Sequence, residues 1–375
     1  MFLKTVMERN QPLVRLGIEW QQNGVILPDT YLLDYDTILE NARSIKQAGD
    51  ANGVQNFFML KQIGRNPLIA RALTDMGYVG AVCVDFREAL TMVENQIPLG
   101  NVGHLVQIPR AALKKILRAK PVIVTVYTLE KAREISAVCT ELGLHQKLML
   151  RVLGEGDMLY SGQYGGFELQ ELDSAVRAIE AMPNVEVGGV CSFPCFLYDE
   201  AAQDILPMPN LRTVQTAAEM LRARGYRDLM LNTPSATCTH SIPMIAAAGG
   251  THGEPGHGLT GTTPYHAGHP DAEERPGYLY VSEVSHNLGD KAYCYGGGHY
   301  RRGHMKNALV GTTPENAKVV PVLPPEPESF AYCAVKVMSP VTVRSSTSLL
   351  VRVIPSVPSQ PVKPYPLSAA TLGTG

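Results

Sequence analysis

Asn56-Phe57-Phe58-Met59-Leu60-Lys61-Gln62-Ile63-Gly64 is the stretch on which the fold turns. An apolar, strand-like run stops abruptly at a lysine, with a glycine three residues later. A lysine closing a buried strand is costly unless its amine has a task, because loss of water disfavours the charge. Burial that lowers the pKa also frees the lone pair, which suits Lys61 to Schiff-base chemistry. From Gln55 onward short β-branched runs alternate with amphipathic stretches in a regular beat. The expected strands are 55–61, 80–85, 101–107, 121–127, 146–153, 185–194, 228–235 and 251–258. Helices are expected between them, among others at 66–77, opened by Asn66-Pro67 and closed by Gly77, at 129–144, and at 210–225 with Asn210 as N-cap. Eight strand–helix repeats predict a (β/α)8 TIM-type barrel, an α/β fold whose chemistry sits at the C-terminal ends of its strands.

Lys61, Ser192, Ser235 and Glu254 all fall at or near such ends. The segment Gly250-Thr251-His252-Gly253-Glu254-Pro255-Gly256-His257-Gly258-Leu259-Thr260-Gly261 adds a glycine-rich turn suited to holding a phosphate. A strand-end lysine and a phosphate cradle together point to a pyridoxal 5'-phosphate site. Asn232 and Ser235 are expected to cap a helix beginning near Thr237 and to bind the phosphate there. Gly256 and His257 would contribute backbone N–H groups. His104 reads as a satisfied core histidine, with Gln107 of the same strand reaching towards the site. Tyr164 reads equally well as a loop-packing residue or a pocket wall.

Outside the barrel, residues 1–27 form an N-terminal helical segment in which Leu13, Leu16, Ile18 and Trp20 are available to pack. Tyr31 to Asp34 is expected to be extended and Thr37 to Ala48 helical. The barrel is assigned to 28–265. Strand-like runs at 278–284 and 291–295 flank the turn Asn287-Leu288-Gly289-Asp290 and define a β-rich C-terminal domain at 266–338. The last segment, 339–375, is atypical: no acidic residue follows Glu328, although the chain carries 35. It reads either as a poorly ordered tail or as a stretch whose reading frame differs from that of its relatives.

Composition excludes several classes. The formal net charge of the 375 residues is -2, and basic residues are not clustered, so nucleic acid and anionic membrane are not expected partners. No apolar run approaches the ~20 residues of a membrane span, and no signal-peptide pattern opens the chain. The seven cysteines show no C-x-x-C spacing, as expected of reduced, buried thiols in the cytoplasm. Eight of the ten histidines lie between His240 and His304, but without H-x-H or H-E-x-x-H spacing no metal site is expected.

These motifs resemble the fold-type III pyridoxal-phosphate enzymes, the alanine racemase-like barrels, and most nearly their bacterial YhfX-type branch. The resemblance covers roughly residues 28–312. It rests on Asp34-Tyr35-Asp36 with Asn41, Leu60-Lys61-Gln62-Ile63-Gly64, Asp85-Phe86-Arg87-Glu88-Ala89, Leu150-Arg151-Val152, Asn232-Thr233-Pro234-Ser235 and Glu254-Pro255-Gly256-His257-Gly258-Leu259-Thr260-Gly261, in that order. The chain departs from the family where alanine racemases place an arginine beside the pyridine nitrogen, since Glu254 stands there. Ser192-Phe193 replaces a sixth-strand histidine, and the family's β-domain does not visibly continue after Ser339. The resemblance implies a homodimeric amino-acid racemase acting on a small substrate, with Lys61 as one acid/base and Tyr295 or His299 (or Cys294) of the second domain as the other. The implied cofactor-binding set is Lys61, Ser192, Asn232, Ser235, Glu254, Gly256 and His257. Two alternatives stay open: a lyase acting on a β-hydroxy amino acid, and a non-catalytic cofactor-binding protein.

Overall fold

A computed structural model describes residues 2–295, 306–323, 332–336 and 348–349. The chain divides into two compact units: Asn41–Leu259 with Thr263–Tyr265, and Met1–Glu40 with Thr260–Thr262 and His266–Gly375.

The first unit is a barrel of eight parallel strands: β1 (Gln55–Asn56), β2 (Ala81–Cys83), β3 (Leu99–Val102), β4 (Ile123–Val126), β5 (Gln146–Leu153), β6 (Val185–Cys191), β7 (Met230–Asn232) and β8 (His252–Gly253). The hydrogen-bonded order runs β1-β8-β7-β6-β5-β4-β3-β2. A bridge between Phe58 and Ala81 closes the ring, with Phe58 N donating to Gly80 O (3.0 Å) and Val82 N to Phe58 O (2.8 Å). All eight expected strands are present, most of them shorter than their apolar runs. β3 and β4 are buried at every position, as strands covered on both faces must be. Phe57, Val82, Val84, Ile123, Met149 and Cys191 pack together inside.

Helices cover the outside, and local sequence sets their ends. Asn66 Oδ1 accepts from Leu68 N (2.9 Å) and Ile69 N (3.2 Å), opening the helix Pro67–Asp75. Thr128 caps Leu129–Leu142, which ends at Gly143 with φ 62°. Two expectations fail here. Asn210 is not a cap: the helix Pro209–Ala223 starts after Met208, and Asn210 is fully buried, its amide tied to Met158 and to Ser192 Oγ. The helix after β7 begins at Ile242, not near Thr237, so neither Asn232 nor Ser235 caps it. The intervening loop turns through two left-handed residues, Ser235 (φ 105°) and Ala236 (φ 51°), which no helix start accommodates.

At the N-terminal end of β8, His252 is 9 % exposed and stacks on Phe57 at 5.1 Å. Its Nδ1 faces Thr251 Oγ1 (2.8 Å) and its Nε2 faces Gln55 Oε1 (3.1 Å), which fits a neutral ring protonated at Nε2. Burial lowers its pKa from 6.5 to about 4. The unfolded chain therefore takes up this proton first, so the contribution is complete above pH 6.5 and is lost as pH falls towards 4. At about 1.4 kcal/mol per pKa unit the loss is on the order of 3 kcal/mol. His252→Gln is expected to flatten the acid limb of a plot of Tm against pH over that window. An unchanged slope would show that His252 does not carry it.

In the second unit, Tyr278–Leu288 is the central strand of an antiparallel sheet. It pairs with Thr30–Leu33, with Lys291–Tyr295 through a hairpin at Gly289 (φ 63°), and with Ser348–Leu349. Asn307–Gly311, Lys318–Pro321 and Tyr332–Lys336 complete it. The helices Phe2–Arg9 and Gln11–Gln22 place Val6, Leu13, Val14 and Ile18 in one cluster with Leu32, Leu279, Val281 and Leu309. Leu16 and Trp20 pack against its edge. Of the segment read as a tail, Ser348–Leu349 forms a strand, and the rest lies outside the described residues.

Candidate active site at the strand ends

Lys61 does not continue the strand, as the sequence reading had it, but opens a 3-10 turn, Lys61–Ile63. Leu60 O accepts from both Ile63 N (3.1 Å) and Arg65 N (3.0 Å), and the turn closes through Gly64 (φ 70°) and Arg65 (φ 55°). Arg65 is fixed there by Glu88 Oε1, which accepts from its Nε (2.9 Å) and Nη2 (2.8 Å). Glu88 Oε2 takes Val84 N (2.8 Å) at the end of β2. Burial raises the Glu88 pKa, with Arg65 opposing the shift. An ion pair in which one carboxylate oxygen holds two guanidinium nitrogens sets geometry more than stability.

Glu254 follows β8 and is 5 % exposed. Its Oε1 accepts from Asn232 Nδ2 (2.6 Å) on β7 and Asn101 Nδ2 (3.1 Å) on β3, and Thr125 on β4 donates to Asn101 Oδ1 (2.6 Å). Its Oε2 has no hydrogen-bond partner and lies 3.7 Å from His104 Nε2. His104 is not the satisfied core histidine expected from sequence: it is buried, and neither ring nitrogen has a hydrogen-bond partner. Burial lowers its pKa; Glu254 pulls the other way, while Arg151 and Lys61 add to the lowering. Three charged side chains from separate strand ends thus act on His104.

Arg151, on β5, is fully buried. Its Nη1 donates to Tyr127 Oη (2.9 Å), its guanidinium lies 4.9 Å from the centre of that ring, and Tyr127 Oη donates to His104 O (2.6 Å). Gln107 does not reach into the site; it clips β3 to β4 by donating to Gly103 O (3.1 Å) and Thr125 O (3.0 Å). Ser192 Oγ is buried between Asn210 Nδ2 (3.0 Å) and Asp157 Oδ2 (3.5 Å). Tyr164 is 67 % exposed and does not pack into a loop interior. The six cysteines whose side chains are described are buried and in no disulfide.

The loops after β7 and β8 meet backbone to backbone. A Cβ on Gly258 would fall 2.4 Å from Thr237 O, a backbone atom that cannot swing aside, so glycine is needed there; Gly256 lies 2.9 Å, at its Cβ position, from the end of the Gln62 side chain. Ser235 lies half-buried on the first loop, Gly256 is buried on the second, and His257 is exposed beside it. Tyr295 belongs to the other unit, where it ends a strand and is 40 % exposed. His299 lies outside the described residues. Asn101, Thr125 and Tyr127 were missed from sequence. Their one available signal was polarity inside apolar strands, and Arg151 was noticed only through the family resemblance.

Residues 33–264 match the family model described as alanine racemase, N-terminal domain, and the chain belongs to that family, the fold-type III pyridoxal-phosphate barrels. Residues 279–352 match the YhfX-like C-terminal domain. The chain is 42 % identical over 319 residues to the uncharacterized protein YhfX of Escherichia coli (strain K12), spanning 85 % of this chain and 82 % of that one. The second match runs past Ser339, so the family's C-terminal domain continues beyond the point where the sequence was read as leaving it. Solved structures share the fold at low identity. D-threonine aldolase from Filomicrobium marinum has a TM-score of 0.61 at 18 % identity, covering 86 % of each chain. D-threo-3-hydroxyaspartate dehydratase from Delftia sp. HT23 has 0.62 at 15 %, covering 86 % of this chain and 89 % of that one. Alanine racemase from Corynebacterium glutamicum has 0.59 at 16 %, covering 88 % and 92 %. Among the described residues no helix is long and apolar enough to cross a membrane.

Pyridoxal 5'-phosphate is the cofactor of this family, and the residues present fit it. An amine stands at a strand end, the loop after β8 packs through Gly258 onto Thr237 O of the loop after β7, and the buried Glu254 Oε2 lacks the hydrogen-bond partner that a protonated ring nitrogen would be.

Proposed function

We propose that the chain is a pyridoxal-phosphate-dependent enzyme that acts at Cα of a small amino acid, in the first instance as a racemase. The observation that carries this reading is the convergence on one barrel end of the Lys61 turn and a buried carboxylate with one unsatisfied oxygen. Bound cofactor supplies an electron sink for the charge left at Cα. Lys61 would hold the cofactor and move the Cα proton on one face. Glu254, oriented by Asn101 and Asn232, would hold a proton at the pyridine nitrogen. Ser235, Gly256 and His257 would grip the phosphate, Asn232 would act through its bond to Glu254, and Ser192 would brace the β6 end through Asn210 and Asp157.

Racemisation needs an acid/base on the opposite face, a role we assign to Tyr295 or His299 of a second copy in a cytoplasmic homodimer. A lyase acting on a β-hydroxy amino acid is the second reading. It is favoured by Glu254 itself, because a protonated ring supports elimination and Cα–Cβ cleavage as readily as racemisation. The test is Cα-deuterium exchange in heavy water over a panel of D- and L-amino acids. Exchange with interconversion of enantiomers supports the racemase. Exchange with release of ammonia or an aldehyde supports the lyase. Bound cofactor without any exchange would leave a binding protein.

A further inference from the structure

One oxygen of Glu254 has room for two donors. An ionised carboxylate accepts at about four lone-pair positions, two on each oxygen. On Oε1 both are taken, by Asn232 Nδ2 (2.6 Å) and Asn101 Nδ2 (3.1 Å). On Oε2 both are open, since no described residue donates to it. His104 faces that oxygen with Nε2 at 3.7 Å. Its imidazole is buried, and neither nitrogen is hydrogen-bonded. Buried polar groups are almost always paired, so two unmatched groups that face each other point to a shared bond.

The backbone aims the ring there. Gly103 (φ 87°) turns the chain out of β3 at a point where a Cβ would fall 2.9 Å from Thr125 O. His104 O then accepts from Tyr127 Oη (2.6 Å), and Phe193 packs against the imidazole at 5.4 Å with the two planes at 85°. The surroundings keep the ring uncharged. Burial lowers its pKa, and Arg151 and Lys61 add to the lowering against the pull of Glu254. Burial also pushes the Cys191 thiol up to about 12 and raises the Tyr127 phenol, so neither adds a charge. A neutral imidazole carries one N–H and one bare lone pair.

We propose that His104 carries its proton on Nε2 and donates it to Glu254 Oε2, as a second donor beside the pyridine nitrogen. The inference deepens the cofactor reading above and rests on it for the place of that nitrogen. About 0.5 Å of movement brings the 3.7 Å gap into hydrogen-bond range, roughly 2.7–3.2 Å. A hydrogen bond to a carboxylate favours its charged form. With His104 in place Glu254 stays an anion, and the proton between them stays on the ring nitrogen instead of passing to Oε2. His104 acts through Glu254 and is a positioning residue.

The first test needs no cofactor. Nitrogen NMR of the imidazoles separates the Nε2–H from the Nδ1–H tautomer, and loss of a signal in His104→Gln assigns it. Wild type is expected to show Nε2–H. In Glu254→Gln the amide oxygen takes over the bonds from Asn232 and Asn101, which turns the amide N–H groups towards His104. The imidazole must then accept at Nε2, so its tautomer is expected to switch to Nδ1–H. An unchanged tautomer in Glu254→Gln, or Nδ1–H in wild type, overturns the proposal. The second test loads the protein with nitrogen-labelled pyridoxal phosphate and reads protonation from the ring-nitrogen shift. His104→Phe fills the space without a donor and is expected to move that shift towards the unprotonated value. His104→Gln, which puts an amide N–H near the place of Nε2, is expected to restore it. A ring-nitrogen shift in His104→Phe equal to wild type also overturns the proposal. If His104→Phe does not fold, the tautomer result decides alone. A tautomer switch in a protein that takes up no pyridoxal phosphate would remove the cofactor reading and leave the His104–Glu254 bond standing.

Discussion

Borohydride treatment of the yellow, cofactor-loaded protein is expected to fix the cofactor on Lys61, and Lys61→Ala is expected to abolish the adduct without unfolding the barrel. The fold should survive because the turn around Lys61 does not depend on its amine. Leu60 O holds the turn through Ile63 N and Arg65 N, and Arg65 is pinned by Glu88. The side chain is half-buried, so truncation opens no core cavity. Loss of the amine removes both the covalent link and the proton carrier, and Cα exchange should fall by roughly 10²- to 10⁴-fold or more. Mass spectrometry that found the reduced cofactor on another lysine would move the site elsewhere.

Glu254→Gln is expected to slow Cα exchange at least about tenfold while cofactor stays bound. Tenfold corresponds to one pKa unit, about 1.4 kcal/mol, of lost support for the protonated ring nitrogen. The phosphate grip rests on other groups, so the visible absorbance of bound cofactor should persist but titrate differently with pH. Glu254→Arg goes further. It puts a cation near His104, Arg151 and Lys61, and it takes the acceptor away from the buried amides of Asn101 and Asn232. An unsatisfied buried donor costs about 1–3 kcal/mol, so this variant should melt lower as well as exchange more slowly. Wild-type exchange rates in both variants would mean that Glu254 does not face the ring.

The barrel was readable because its strands are short apolar runs separated by strong local signals. Asn66-Pro67, Thr128 and Gly143 each act within a turn of their own helix, and each does in the structure what its residue type suggests. Asn210 shows where local reading stops. An asparagine before an amphipathic run looks like a cap, but here Ser192 and Met158 lie close enough to claim its amide. The site divides along the same line. Lys61 and Glu254 stand out because a charge at the end of an apolar strand is conspicuous. His104, Arg151 and Asn101 do not, because a polar residue inside a strand reads alike whether its partner waits across the barrel or is absent. Only ring closure brings Asn101 of β3 to Glu254 after β8, and that pairing has no signature in either segment.

The way β1 is held has a consequence for how the chain comes off the ribosome. Gln55 and Asn56 pair with His252 and Gly253, while Phe57 N and Met59 N donate to Gly253 O and Pro255 O. On its other side the run holds β2 through a single bridge. Gln55 and His252 are 197 residues apart. At about 5–20 residues per second, synthesis of that interval takes roughly 10–40 s. Throughout it the apolar edge ahead of Lys61 is already made but has no neighbour to close it. The lysine's strand is therefore among the first parts of the barrel to be translated and among the last to be completed, and its backbone stays open to mispairing or chaperone capture until β8 emerges.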